Sequence, residues 1–205
     1  MKQITEYLST KVVQSKIKAT DDTIKKIIKD ELDRLGHDAD LNHIDVSEVT
    51  NMKSIFDRNR PDFDWSAHTD VNPDISKWDV SNVTTMENMF WNCINFNGDI
   101  SEWITSNVKN TNSMFYNCKK FNCDISEWDV SNVTIASCMF QSCEKFNKNI
   151  GNWKTGKMKN MEGMFYDCKK FNQDLSNWDV SNVTNDWNVF KNCPIKEEFK
   201  PKFKV

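Results

Sequence analysis

Apolar residues in this chain recur over a distance much longer than the beat of an isolated helix or strand. Tryptophan stands at Trp78, Trp103, Trp128, Trp153 and Trp178, phenylalanine at Phe90, Phe115, Phe140, Phe165 and Phe190, and cysteine at Cys93, Cys118, Cys143, Cys168 and Cys193. Each series steps by 25 residues. The heptapeptide WDVSNVT is repeated verbatim at 78–84, 128–134 and 178–184, with WITSNVK and WKTGKMK in the same register at 103 and 153. A degenerate copy precedes them, running from Ile44 to Thr50 and on to Met52 and Ile55-Phe56. Ile44 lies 34 residues before Trp78, so nine residues are inserted near 57–70, and RNRPDFDWSAHTD predicts a protruding loop there.

Within one unit Phe96, Ile100, Trp103, Val108 and Met114-Phe115 are apolar and are separated by Asn, Asp, Ser and Thr. One unit cannot bury such a stripe by itself. Stacking units on a common axis merges the rows into a continuous core, so the pattern predicts a repeat solenoid of about six turns. The segments FNGDIS, FNCDIS, FNKNIG and FNQDLS read as short parallel strands spaced by ~4.8 Å. NVTTMENMF and its counterparts, with apolar residues three and four apart, predict short helical or 3₁₀ stretches opposite them.

A repeat array exposes apolar edges at both ends and needs caps. Thr20-Asp21-Asp22 offers N-cap side chains, and Ile24, Ile27, Ile28, Leu32 and Leu35 share a helical face. Gly36 supplies the stop, which predicts a capping helix over Asp21–Leu35 within an N-terminal cap at 20–43. The repeat block then covers 44–193. Residues 194–205, with Phe199 and Phe203 among lysines, form a C-terminal cap or tail. Residues 1–19 carry a short stripe of Ile4, Leu8 and Val12 and read as an amphipathic leader, with an extra capping helix preferred over a membrane-surface helix.

The pattern WDVSNVTxMxxMFxxCxxFNxDIS resembles the 25-residue repeats of unknown function found in mycoplasma surface proteins and grouped with BspA-like leucine-rich repeats. The resemblance covers about residues 44–193. It implies an α/β, leucine-rich-repeat-like solenoid used for binding, and similar repeats in large DNA viruses and phages raise the possibility of a phage or viral member.

Composition narrows the classes. With 12% aromatic residues the chain is not disordered as a whole, despite a mean hydropathy of -0.69. The N-terminus lacks the apolar core of a secretory signal, and no window approaches the ~20 apolar residues of a membrane span. The expectation is a protein of a cytoplasm or a virion interior. The 27 basic and 30 acidic residues are unevenly placed, and 22 acidic against 15 basic side chains between 37 and 194 argue against a nucleic-acid groove.

Seven cysteines raise a metal or disulfide reading, but His37, His43 and His68 all precede them and the spacing is not that of a zinc site. Five of the seven occupy one repeat position, as a buried thiol column requires. No metal, no cofactor and no catalytic constellation are expected. Two columns are candidate partner-binding surfaces. One is the polar face made by Asn97, Asp99, Asn122, Asp124, Asn147, Asn149, Asn172 and Asp174 with the neighbouring serines. The other is the position after each Met-Phe pair, Trp91, Tyr116, Gln141 and Tyr166, where exposed aromatics are either interface anchors or an edge ladder. The sequence therefore favours a monomeric, non-enzymatic module that binds a protein partner. Its competitors are an acidic phage or viral decoy against a host defence nuclease, which the aligned Lys119, Lys120, Lys169 and Lys170 count against, and a virion-packaged structural protein.

Overall fold

The computed structural model describes residues 16–57 and 71–204. The expected leader up to residue 15 and nearly all of the insertion, 58–70, lie outside the described residues. Ile17–Lys18 (β1) pairs in parallel with Ile44–Asp45 (β2), in the register Ile17 to Ile44 and Lys18 to Asp45. Residues 16–19, expected as the end of a separate leader, are thus joined to the first repeat, and Ala19 is buried there. Between them runs the helix Ile24–Leu35 (α1).

Helix α1 forms where its stripe dictates. Ile24, Ile28 and Leu32 repeat every four residues and are buried, while Lys26, Asp30 and Asp33 face outward. Glu31 is buried as well, its carboxylate held by Arg34 and His43, and Leu35, expected on the apolar face, is exposed. Gly36 takes φ 92°, and its N–H closes on the Leu32 carbonyl at 2.9 Å. The left-handed angle is why glycine terminates the helix. The start differs from expectation, because Thr23 is the N-cap and makes no side-chain cap bond. Asp21 is directed elsewhere. Its carboxylate accepts the N–H of Thr50 and of Asn51, at 2.7 and 2.9 Å, and the Thr50 hydroxyl at 2.7 Å.

Each repeat is hydrogen-bonded to the next, in a register of 25 residues from Thr85 onward and of 34 across the insertion. Single parallel bridges link Asn51 to Thr85, Thr85 to Asn110, Asn110 to Ile135, Ile135 to Asn160 and Asn160 to Asn185. These bridges lie in the segment expected to be helical. There the chain forms overlapping turns, with Met89, Trp91 and Cys93 N–H bonding locally to the carbonyls of Met86, Asn88 and Phe90. The N–H groups of Met86, Asn88, Phe90 and Asn92 go instead to Asn110, Asn112, Met114 and Tyr116 of the following repeat. A helix would keep all of these bonds local. Left-handed residues divert every second one, Asn88 at φ 55° and Asn92 at φ 60°, and their equivalents Ser113, Asn117, Cys138, Ser142, Gly163 and Asp167 share the conformation. Asparagine tolerates it better than most side chains do.

The expected strands at FNGDIS, FNCDIS, FNKNIG and FNQDLS are also absent. On this face asparagine side chains replace backbone carbonyls as the acceptors. Oδ1 of Asn72, Asn97, Asn122 and Asn147 accepts the N–H of Asn97, Asn122, Asn147 and Asn172 at 2.7–3.0 Å. A backbone ladder is not needed where a side chain fills its role.

The core consists of rows of like residues. Phe56, Phe90, Phe115, Phe140, Phe165 and Phe190 stack at centroid separations of 5.3–5.8 Å, and each of Phe90, Phe115, Phe140 and Phe165 also packs on the second phenylalanine of its own repeat. Every repeat tryptophan reaches back, with Nε1–H of Trp103, Trp128, Trp153 and Trp178 donating to Ile75, Ile100, Ile125 and Ile150 carbonyls at 3.0–3.2 Å. The indole is therefore buried and satisfied at once. At the C-terminus Lys196 N–H bonds Asn172 Oδ1, Leu175 N–H bonds the Phe199 carbonyl, and a 3₁₀ turn covers Glu197–Phe199. Residues 194–204 thereby fold back on the last repeat.

Stacking on both sides predicts an asymmetry in stability. Phe140 is fully buried between Phe115 and Phe165, whereas Phe190 is only partly buried and has a stacked neighbour on one side. Phe140→Ala is expected to cost ~3 to 5 kcal/mol and Phe190→Ala distinctly less. Chemical denaturation of the two variants checks this, and equal losses would contradict it.

Candidate functional site

The polar face carries two structural tasks in adjacent columns. The Asn column bonds the next repeat. The Asp column closes its own turn, since Oδ1 of Asp74, Asp99, Asp124 and Asp174 accepts the N–H of Ser76, Ser101, Ser126 and Ser176 at 2.9–3.1 Å. Asn149 does the same for Gly151 at 3.0 Å. These are side-chain turns of the kind that Asp and Asn form with the backbone two residues on. The bonds from serine backbone and hydroxyl hold the four Asp carboxyls below the usual carboxylate range. One oxygen of each Asn and Asp candidate is thus already engaged. The remaining amide and carboxylate groups are at least partly open to solvent.

The aromatic column is not one continuous ladder. Trp91 and Tyr116 stack face to face, 4.4 Å between centroids and 19° between planes. Gln141 interrupts the row. Tyr166 instead lines a cleft of about 220 Å³ with Cys138, Gln141, Glu162, Trp187 and Lys191. Lys191 Nζ lies 5.6 Å from the Tyr166 ring centroid, a cation–π distance. Trp187 is 68% exposed, which sets it apart from the buried repeat tryptophans. Sequence reasoning overlooked it, although its place nine residues after Trp178 takes it out of the core series.

The cysteine column is a packing device. Thiols of Cys93, Cys118, Cys143 and Cys168 donate to the carbonyls of Phe56, Phe90, Phe115 and Phe140 at 3.2, 3.1, 3.0 and 2.8 Å. Burial pushes the Cys118, Cys143 and Cys168 thiols well up, which keeps them protonated and unreactive. Among the described residues no group of three or more His, Cys, Asp or Glu side chains is placed to hold a metal ion, and no helix is long and apolar enough to cross a membrane.

These hydrogen-bonded 25-residue units define a repeat protein. A protein-family model described as Mycoplasma protein of unknown function, DUF285, matches residues 30–111 and 99–202, and the chain belongs to that family of BspA-like repeats. No curated protein and no solved structure matches the chain.

Two outcomes follow from the columns. A carboxyl whose pKa is lower in the folded state contributes stability above its unfolded value, about 4, and loses that contribution as pH falls through the folded value. The denaturation midpoint should therefore drop between about pH 5 and about pH 2, and less in the Asp99→Asn/Asp124→Asn variant, which keeps the acceptors and removes two of the titrations. Equal drops in both proteins would show that the Asp–Ser turns do not carry the effect. Under native conditions a thiol reagent should react slowly with Cys93, Cys118, Cys143 and Cys168 and faster with the half-buried Cys123, Cys138 and Cys193. Uniform reactivity of all seven would contradict the thiol column.

Proposed function

We propose that this chain is a non-enzymatic protein-binding module. In this reading it is a leucine-rich-repeat-like solenoid of about six turns that meets its partner along columns crossing several repeats. The solenoid reading is supported by the parallel bridges and ring stacks between successive repeats. The binding reading is carried by one observation: aromatic side chains outside the core, Trp91, Tyr116, Tyr166 and Trp187, stand beside the ladder, and Tyr166 and Trp187 flank an open cleft. A few residues carry most of the affinity at protein interfaces, and Trp and Tyr are enriched among them. The Asn and Asp columns have structural employment that accounts for their regularity, so the aromatic column is the stronger anchor candidate.

The test begins with a partner recovered from the native host by pull-down and identified by mass spectrometry. Calorimetric titration of that partner with the Trp91→Ala/Tyr116→Ala/Tyr166→Ala variant should show affinity reduced by about 2 kcal/mol or more. The Asn122→Ala/Asp124→Ala/Asn147→Ala variant should bind with smaller change but unfold more easily, since each lost bond costs about 1 kcal/mol. An aromatic triple variant that melts normally and binds like the unmodified protein would overturn the assignment.

A further inference from the structure

In each repeat one N–H, such as that of Thr84, donates to the preceding repeat and the later ones of the turn segment donate to the following repeat, so the last member of the ladder is half finished. The N–H groups of Met161, Gly163, Phe165 and Asp167 donate to the carbonyls of Asn185, Trp187, Val189 and Lys191 at 2.8–3.0 Å. The equivalent groups in the last repeat, on Asp186, Asn188, Phe190 and Asn192, have no acceptor among the described residues. The C-terminal segment caps only one face, where Lys196 and Phe199 bond Asn172 and Leu175. Elsewhere in the last repeat Val183, Phe190 and Cys193 are only partly buried, although their internal counterparts Val133, Phe140 and Cys143 are buried. Trp187, in the same repeat, lines a cleft with Asn188 and Lys191.

The opposite end of the molecule shows which chemistry satisfies such groups. Thr50 and Asn51 also have no repeat before them to accept their N–H groups, and the Asp21 carboxylate takes both. At the open end no side chain does this, and the charge has the other sign. Residues 184–204 carry five lysines, Lys191, Lys196, Lys200, Lys202 and Lys204, against Asp186, Glu197 and Glu198. Lys200 is paired with Glu197, and Lys191 lies near Asp167 and shares its cleft with Glu162, so the surplus of positive charge is modest. Left-handed Asn188 and Asn192, at φ 58° and 57°, alternate with their neighbours as in the backbone concavities that bind anions.

We propose that this open end docks an acidic, extended segment of a partner protein. Its carbonyl and carboxylate oxygens accept the N–H groups of Asp186, Asn188, Phe190 and Asn192, its apolar side chains cover Phe190 and Val183 beside Trp187, and its charge is met by Lys191. The mode is addition of one further member to an open ladder edge. It rests on the protein-binding reading and names the end and the chemistry.

The test is amide hydrogen exchange by NMR on the full chain, with an alternating Glu-Leu octapeptide as the probe and a Lys-Leu octapeptide as the control. The Glu-Leu peptide should slow exchange at Asp186, Asn188, Phe190 and Asn192 about tenfold or more, and leave Met161, Gly163, Phe165 and Asp167 unchanged. Lys191→Gln and Lys191→Glu, at an exposed position, should weaken the peptide progressively, to about tenfold for the charge reversal. Unchanged exchange at saturating peptide, or equal protection by the Lys-Leu peptide, overturns the proposal. Protection that appears without peptide and rises with protein concentration means that a second copy fills the end, and this overturns it too. A partner lost by the aromatic triple variant that leaves these four amides unprotected refutes the docking end while the binding-module reading stands.

Discussion

The structure depends on one constraint: no repeat can satisfy its own backbone. In each unit every second N–H of the turn segment points out along the array, and only the carbonyls of another copy of the same segment lie at the right spacing to accept them. An unpaired buried N–H costs about as much as a lost hydrogen bond or more, so a single unit has no stable existence alone. Register follows from the same fact. The carbonyl, the asparagine Oδ1 and the indole Nε1–H each fix the neighbouring repeat independently, and all three agree only at a shift of one whole unit.

Hydrophobic rows then need no further instruction. Once the polar groups set the register, each phenylalanine meets a phenylalanine, and each thiol meets a carbonyl of the preceding repeat. A small side chain with a weak donor suits that place better than alanine, which would give up the second bond to a carbonyl that already accepts a backbone N–H in most repeats, or serine, whose hydroxyl is more costly to bury. The recurrence of cysteine thus has a packing cause and needs no redox or metal role.

The rows of Phe, Ile and Trp, the helix at 24–35 and its glycine stop were legible in the sequence because each follows from apolar spacing or from a backbone angle. What was not legible was the identity of the hydrogen-bond acceptors. A motif such as FNGDIS keeps Phe96 and Ile100 on one side as a strand would, and nothing in its letters distinguishes a backbone carbonyl from the Oδ1 of Asn97 as the atom facing the next N–H. Likewise NVTTMENMF shows three- and four-residue spacing in a run of overlapping turns as well as in a helix, and only the left-handed Asn88 separates the two. Among the site residues, Tyr116 and Trp91 were legible as a column. The interruption at Gln141 was visible too, but the pairing of Tyr166 with Trp187 required the fold, since those residues lie in different columns of the repeat.

The tryptophan bond has a consequence for how such a chain changes length. Trp128 reaches the carbonyl of Ile100, and Trp153 that of Ile125, so the bonded unit straddles two sequence repeats and has no privileged beginning. Excision of any 25 consecutive residues from the interior, wherever the cut falls, leaves every surviving tryptophan facing an equivalent carbonyl. Excision of a single residue puts the indole of one repeat out of reach of its acceptor and turns its asparagine away from the N–H it serves. Such a chain can be lengthened or shortened in whole steps, and its reach is a countable property set by recombination between its own repeats.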